Sequence, residues 1–193
     1  IYAQVGNAVQ VASYLLGLQF MNAIVGIAKA PFYSRIPLLS QLFSKGKRTQ
    51  LLQIARRGMI FSHWLFVIGF AATGFLAPVF LDLVGSNAKF PDPLLWNLIG
   101  IGFFAERFGA IHLQLYSLTN IIIWHISNGV SGLIYLVVSL HSISSLGIYA
   151  FPVGYIAGYL GFYSWHCASH SYKTFGFKFF KFELVPFILP CLT

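Results

Sequence analysis

Residues 94–120 read LLWNLIGIGFFAERFGAIHLQLYSLTN, and this stretch decides the class of the protein. Its length suits a membrane-spanning helix, which needs about 20 apolar residues, yet Glu106 and Arg107 interrupt it. With a rise of 1.5 Å per residue, the two charges would lie roughly 18 Å along the helix, near the middle of a hydrocarbon core about 30 Å thick. A charge at that depth costs at least about 2.5–3.5 kcal/mol, so it normally faces a partner or a wet cavity. We therefore expect Glu106 and Arg107 to serve a functional site, with a structural ion pair as the alternative.

The composition of the whole chain also indicates a membrane protein. Of its 193 residues, 58% are hydrophobic and only 8% are charged. A soluble domain carries about 25% charged residues, so this composition excludes an ordinary cytosolic enzyme. It also excludes a disordered chain, which needs low hydrophobicity and high charge.

The apolar runs predict an all-α, polytopic transmembrane helix bundle in a single domain, 1–193, with five complete spans and a truncated sixth. The five spans are expected at 5–28, 59–84, 94–118, 121–140 and 148–168, and the sixth begins at 184. Residues 34–58 are too polar to span, and their helically spaced apolar residues predict short amphipathic helices on the membrane surface. Since the chain starts at Ile1 and ends within an apolar run, we expect it to be part of a longer protein.

The basic residues predict the orientation of the bundle. Ten of the twelve Lys and Arg residues lie in two segments, the loop 29–57 and the tail 171–183. The chain crosses the membrane four times between these segments, so both lie on one side, and the positive-inside rule makes that side cytoplasmic. The net charge of +8 is therefore an orientation signal that also attracts anionic membrane lipids. A nucleic-acid partner is not expected, because no soluble domain is present to offer a binding face.

Other polar residues within the spans leave two interpretations open. His112 is either a hydrogen-bonded packing residue or part of a proton relay, since the pKa of histidine lies near neutrality. Asn7, Gln10 and Tyr14 share one face of the first span. These side chains either bond neighbouring helices or line a cavity that binds a polyhydroxylated ligand.

Small residues in the fourth and fifth spans favour close helix packing. Gly154 and Gly158 form a G-x-x-x-G pair in the fifth span, and Gly129 and Gly132 lie in the fourth. We interpret all four as packing residues.

The sequence contains no pattern typical of a catalytic or metal site. His166 and His170 have a spacing that can hold a metal, but they lack the acid of the H-E-x-x-H motif and any further ligand cluster. Nucleophile elbows, phosphate-binding loops and paired carboxylates are also absent. We therefore expect neither an enzyme nor a metal or cofactor site.

The segment FFAERFGAIHLQLYSLTNIIIWHISNGVSGLIYLVVSL (103–140) resembles the bacterial polysaccharide (O-antigen and capsule) flippase family, in the superfamily of the MATE-like exporters. That family often carries an aromatic pair and a Glu, a later His, and a Thr-Asn step into the next helix. Glu106, His112, Thr119 and Asn120 are similar to those positions.

Two weaker similarities extend the resemblance over roughly residues 1–183. GFYSWHCASHSYKTFG (161–176) resembles the family's aromatic-x-x-Trp exit into a basic end, and the region around Pro31, Arg35 and Gly46 is similar to a loop of its C-terminal lobe. The resemblance places the chain at about helices eight to twelve of a longer transporter. Arg107 departs from the family pattern, which leaves the role of the neighbouring Glu106 open.

The resemblance implies an inner-membrane transporter that moves a lipid-linked oligosaccharide, an undecaprenyl-diphosphate-linked sugar, to the periplasmic leaflet by alternating access. It implies that Arg107 and Arg35 attract the diphosphate, and that Glu106 or His112 couples transport to protons. Asn7, Gln10 and Asn120 would then bond sugar hydroxyls. The polysaccharide polymerase machinery is the implied protein partner.

Three other functions compete with this interpretation. A MATE-like drug or cation antiporter needs acids that face the cavity, and the five spans contain one Glu. A membrane-embedded glycosyl- or acyltransferase needs a His or Asp pair at a membrane face and sizeable loops. A structural subunit has no need of charges within the membrane.

Overall fold

The computed structural model describes residues 8–177, and each regular element within that range is a helix. In chain order the helices are α1 (Ala8–Ala28), α2 (Ala30–Tyr33), α3 (Ile36–Ser44), α4 (Arg48–Leu83), α5 (Pro93–Tyr116), α6 (Trp124–Leu146), α7 (Ala150–Gly158) and α8 (Ser164–Phe175). A π-helical segment, Tyr159–Tyr163, joins α7 to α8, and the 3-10 turns Ser117–Thr119 and Gly147–Tyr149 follow α5 and α6. The sixth span expected from 184 lies outside the described residues.

Four stretches of this helical chain are long and apolar enough to cross a membrane. These stretches are Ala8–Ser44, Arg48–Leu83, Pro93–Thr119 and Trp124–Phe175. The expectation of an all-α chain with helices long and apolar enough to cross a membrane is confirmed within residues 8–177. The count of five complete spans stays a prediction.

The fourth stretch folds back on itself at Gly147. The φ of Gly147 is +56°, a left-handed conformation that costs glycine little, and it ends α6. Beyond it, α7 runs antiparallel to α6, with the Ser139 hydroxyl donating to the Ala150 carbonyl at 3.3 Å. A turn was predicted over 142–147, but α6 continues through most of this segment and the chain reverses only at Gly147. No residue before Gly147 breaks the helix.

The prediction of separate surface helices over 34–58 is only partly right. Helix α3 is short and buries Leu39 and Leu42. Residues 48–58, however, are the first turns of α4, one continuous helix of 36 residues. At about 54 Å it is longer than a hydrocarbon core of about 30 Å. The polar Arg56–Arg57 step therefore does not end a helix, since it contains neither a proline nor a capping residue.

Helix α5 lies at the centre of the bundle and contacts α1, α4, α7 and α8. At one end, Ile111 and Leu115 of α5 pack with Phe32, Leu51 and Phe175. Lys29, Arg35, Lys45, Lys47, Arg48 and Lys173 belong to the loops and helix ends around this cluster, which we call the basic end. We call the end with the loop between α4 and α5 the opposite end.

The glycine interpretation is confirmed for α7 and is wrong for α6. A Cβ on Gly154 would collide with the Ser139 side chain, and one on Gly158 with the Ser131 carbonyl oxygen. In contrast, a Cβ on Gly129 or Gly132 would meet nothing within 4 Å among residues 8–177. Helices α6 and α7 therefore approach closely only because α7 presents glycines to the backbone of α6.

Replacing Asp92 by alanine should destabilise the opposite end of the bundle. The Asp92 carboxylate caps α5, accepting from the backbone N–H groups of Leu94 and Leu95 at 3.1 and 3.0 Å, and it also accepts from the Tyr149 hydroxyl at 3.0 Å. Loss of such a cap costs about 1 kcal/mol. The thermal unfolding midpoint in detergent should fall for Asp92→Ala. Asp82→Ala, which removes an exposed carboxylate that caps no helix, should leave it unchanged, and equal midpoints for the two variants would contradict the capping role.

Candidate functional site

Arg107 is buried near the basic end and faces the break between α1 and α3. Its side chain is 3% exposed. Its Nη2 donates to the Tyr33 hydroxyl at 3.0 Å, and its Cζ lies 5.3 Å from the centroid of the Tyr33 ring. Its Nε has no hydrogen-bond partner within the described part of the chain. The guanidinium therefore keeps one buried donor for a group outside residues 8–177.

Glu106 is half-buried and faces a different set of groups. Its carboxylate is close enough to Arg107 and Lys29 to be attracted by both charges, and its own charge acts on Tyr155, Tyr159 and Tyr163. It forms no hydrogen bond or ion pair with any residue in 8–177. The Glu106 carboxylate therefore lies near cations and phenol groups, but none of these groups contacts it directly.

The tyrosines beside Glu106 form a continuous row along α7 and the π-helical segment. The ring centroids of Tyr155 and Tyr159 are 4.2 Å apart and those of Tyr159 and Tyr163 are 5.1 Å apart. Tyr135 of α6 meets Tyr155 edge-on at 6.0 Å. The row combines apolar ring faces with hydroxyl groups, so it can hold a ligand that is apolar on one side and polar on the other.

The π-helical segment ties this row to α5. The backbone N–H of Ser164 donates to the Tyr159 carbonyl, and the Ser164 hydroxyl lies 2.6 Å from the Ala105 carbonyl, next to Glu106. A Cβ on Gly109 would lie 2.5 Å from Tyr163 Cδ1 and 3.0 Å from Ser164 Cα, so only glycine permits this close approach. Such π-helical insertions occur frequently at functional sites.

A cavity of about 280 Å³ opens between α1, α5, α6 and α7 beside the tyrosine row. Its lining consists of Tyr14, Leu18, Ile99, Phe103, Gly132, Tyr135, Pro152, Tyr155 and Tyr159. We call it the tyrosine cavity. Four phenol groups line it, and Glu106 lies one turn beyond Phe103 on α5.

Comparison of the chain with known family models, curated proteins and solved structures finds no match. The likeness to polysaccharide flippases therefore stays a hypothesis that depends on the residues themselves.

The structure places His112 in an aromatic environment near the basic end. His112 is fully buried, with ring centroids 4.7 Å from Phe108 and 5.1 Å from Tyr172. These ring contacts favour the packing alternative over a proton relay.

The remaining predicted site residues that lie within 8–177 do not gather around Glu106. The Arg35 Nη1 donates a hydrogen bond to the Ile54 carbonyl at 3.4 Å, which joins α3 to α4. Asn120 is exposed in a left-handed turn with φ of 60°, a conformation that asparagine tolerates well. Gln10 is exposed on the first turns of α1, and Asn7 lies outside the described residues. Of the two described members of the predicted polar face of α1, Gln10 and Tyr14, Tyr14 lines the cavity and Gln10 does not.

Sequence reasoning missed Lys29, Tyr33 and the tyrosine row. The spacing of Tyr155, Tyr159 and Tyr163, at i, i+4 and i+8 of YIAGYLGFY, was a visible signal for one helix face. Lys29 and Tyr33 gave no such signal, since their approach to α5 depends on the break after Ala28.

His166 and His170 do not form a metal site with other residues. The His166 Nδ1 lies 3.0 Å from the Ser127 hydroxyl, and the two histidine rings are 4.9 Å apart. Among residues 8–177, no group of three or more His, Cys, Asp or Glu side chains could hold a metal ion.

Proposed function

We propose that the chain belongs to a membrane transporter that moves a lipid-linked oligosaccharide from the cytoplasmic to the periplasmic leaflet. The observation that carries the proposal is the tyrosine cavity, whose Tyr155 and Tyr159 are within electrostatic reach of Glu106 on the central helix of an apolar bundle. Sugar rings have apolar C–H faces that stack on aromatic rings, and their hydroxyls bond phenol and carboxylate oxygens. Membrane-embedded charges normally mark such substrate paths.

The cations near the basic end supply the second requirement of this substrate, an anchor for its diphosphate. Arg107 holds a buried donor that has no partner within residues 8–177, and guanidinium groups pair well with phosphate oxygens. Lys29 is exposed nearby. If the basic end is cytoplasmic, as the positive-inside rule predicts, the diphosphate would enter from the leaflet in which such lipids are made.

A drug or cation antiporter is the second candidate, and one observation favours it. Glu106 forms no ion pair within the described residues and lies beside a row of tyrosines. A carboxylate with aromatic faces is also the environment that attracts an organic cation. The two functions therefore differ in the charge that binds the substrate: Arg107 for an oligosaccharide diphosphate and Glu106 for an organic cation.

Charge-removing variants of the complete protein test the proposal and separate the two candidates. For oligosaccharide transport, Arg107→Gln should lower surface polysaccharide at least about tenfold, because a hydrogen bond to a charged group contributes about 1.5 kcal/mol or more. Glu106→Gln should lower it less. For cation export, Glu106→Gln should abolish drug resistance while Arg107→Gln spares it.

Lys45→Gln is the matched control, since it removes one exposed positive charge from the same end. It should leave both readouts at wild-type values. Full export and full resistance from Glu106→Gln and Arg107→Gln, at normal protein levels, would overturn the site assignment.

A further inference from the structure

A second and larger cavity lies at the opposite end of the bundle. Its volume is about 790 Å³, and it is bounded by the last turns of α4, the loop between α4 and α5, and the first turn of α5. It shares no lining residue with the tyrosine cavity. A cavity at this level would meet the interface between lipid acyl chains and head groups if α4 spans the membrane.

The floor of this cavity is aromatic and contains one buried donor without a partner. Trp96 stacks on Phe70, with ring centroids 5.0 Å apart, and meets Phe90 at 4.9 Å. Trp96 is 5% exposed, and its Nε1 has no hydrogen-bond partner among residues 8–177. A buried indole N–H normally finds an acceptor. The floor is therefore complementary to an apolar group that carries an oxygen acceptor.

The rim of the cavity carries one charge of each sign. Asp82, on the last turn of α4, and Lys89, in the following loop, both line the cavity and are exposed. No ion pair joins them to each other or to another residue of the described range. Two opposite charges held apart at the mouth of one cavity are complementary to a ligand that carries both signs.

One wall of the cavity faces the surroundings of the bundle. Phe75 lines it and is 79% exposed, and Pro78 interrupts the hydrogen bonding of α4 beside it. The cavity therefore connects an apolar surface at Phe75 with the charged rim at Asp82 and Lys89. A soluble zwitterion would leave that apolar wall unused, whereas a lipid would cover it.

We propose that this cavity binds a zwitterionic phospholipid. The lipid ammonium lies at Asp82 and its phosphate at Lys89. One acyl chain follows Phe75 and Pro78, and an ester oxygen accepts from Trp96 Nε1. This inference does not depend on the proposed transport function, because none of these residues belongs to the tyrosine cavity.

Native mass spectrometry of the complete protein in detergent tests the proposal with three lipids of matched chains. These are phosphatidylethanolamine, phosphatidylcholine and the anionic phosphatidylglycerol. The wild type should retain the two zwitterionic lipids more strongly. Asp82→Asn should weaken the binding of both zwitterionic lipids about threefold to fivefold and leave the binding of phosphatidylglycerol unchanged, in the range expected for partly exposed ion pairs. Lys89→Gln should weaken the binding of all three lipids to a similar extent.

Two further variants complete the experiment. Ala71 lines the cavity and is exposed, so Ala71→Phe should occupy part of the cavity and reduce binding of every lipid without disturbing the core. Lys45→Gln, at the other end of the bundle, should change nothing. Equal retention of all three lipids by the wild type, or loss of phosphatidylglycerol in Asp82→Asn, would overturn the assignment.

Discussion

Gly132→Leu is expected to abolish transport by the complete protein while leaving the bundle folded. Gly132 lines the tyrosine cavity, and a Cβ at this position would meet nothing within 4 Å. A leucine side chain at this position therefore starts in open space beside the cavity. It would occupy the space beside Tyr135 and Tyr155 that the proposed substrate needs.

The expected loss is at least about a hundredfold in surface polysaccharide, equivalent to about 2.8 kcal/mol of substrate binding. The measurement is surface polysaccharide in cells whose only copy of the complete protein carries the variant, with protein level as a parallel readout. Gly129→Leu is the matched control, because Gly129 lies one turn earlier on α6, is equally open and does not line the cavity. Equal export from both variants would show that the tyrosine cavity is not on the substrate path.

The second large effect concerns stability and is expected at Gly158. A Cβ at this position would be forced against the Ser131 carbonyl oxygen, a backbone atom that cannot rotate away. Helices α6 and α7 would have to separate, and overpacking of this kind costs about 3 kcal/mol. Gly158→Ala should therefore lower the thermal unfolding midpoint of the purified protein markedly.

Gly129→Ala and Gly161→Ala provide the comparison, since a Cβ at either position would meet nothing within 4 Å. Both variants should keep or slightly raise the midpoint, because alanine favours a helix more than glycine does. A midpoint for Gly158→Ala equal to theirs would contradict the close approach of α6 and α7.

Much of the secondary structure follows from the sequence in physical terms. The apolar runs predict the end of α1 at residue 28 and place α5 within one residue of its start and two of its end, because helix length is limited by membrane thickness and by capping residues such as Asp92 and Pro93. The errors lie at the polar segments. Residues 48–58 extend α4, since charge alone does not break a helix.

The candidate site was predicted less completely. Glu106 and Arg107 could be selected because charges are rare and costly in an apolar helix. Uncharged polar residues gave no comparable signal. Gln10 and Asn120 are exposed, whereas Tyr14 and Tyr155 line the cavity. The sequence showed only that the tyrosines of 155–163 share one helix face, not that this face lines a cavity.

The sequence by itself determined the helical membrane class, the separation of basic residues to one end, and the two charges in the central span. Only the tertiary structure decided that Arg107 meets Tyr33, that Glu106 lies beside the tyrosine row, and that Gly158, rather than Gly132, is a packing residue. The physical reason is that lipid is as apolar as a protein core. Apolar residues suit both the lipid-facing and the buried face of a membrane helix, so their pattern does not tell which face points inward. The rotation of each helix is set by contacts with its neighbours, such as the glycines of α7 against α6.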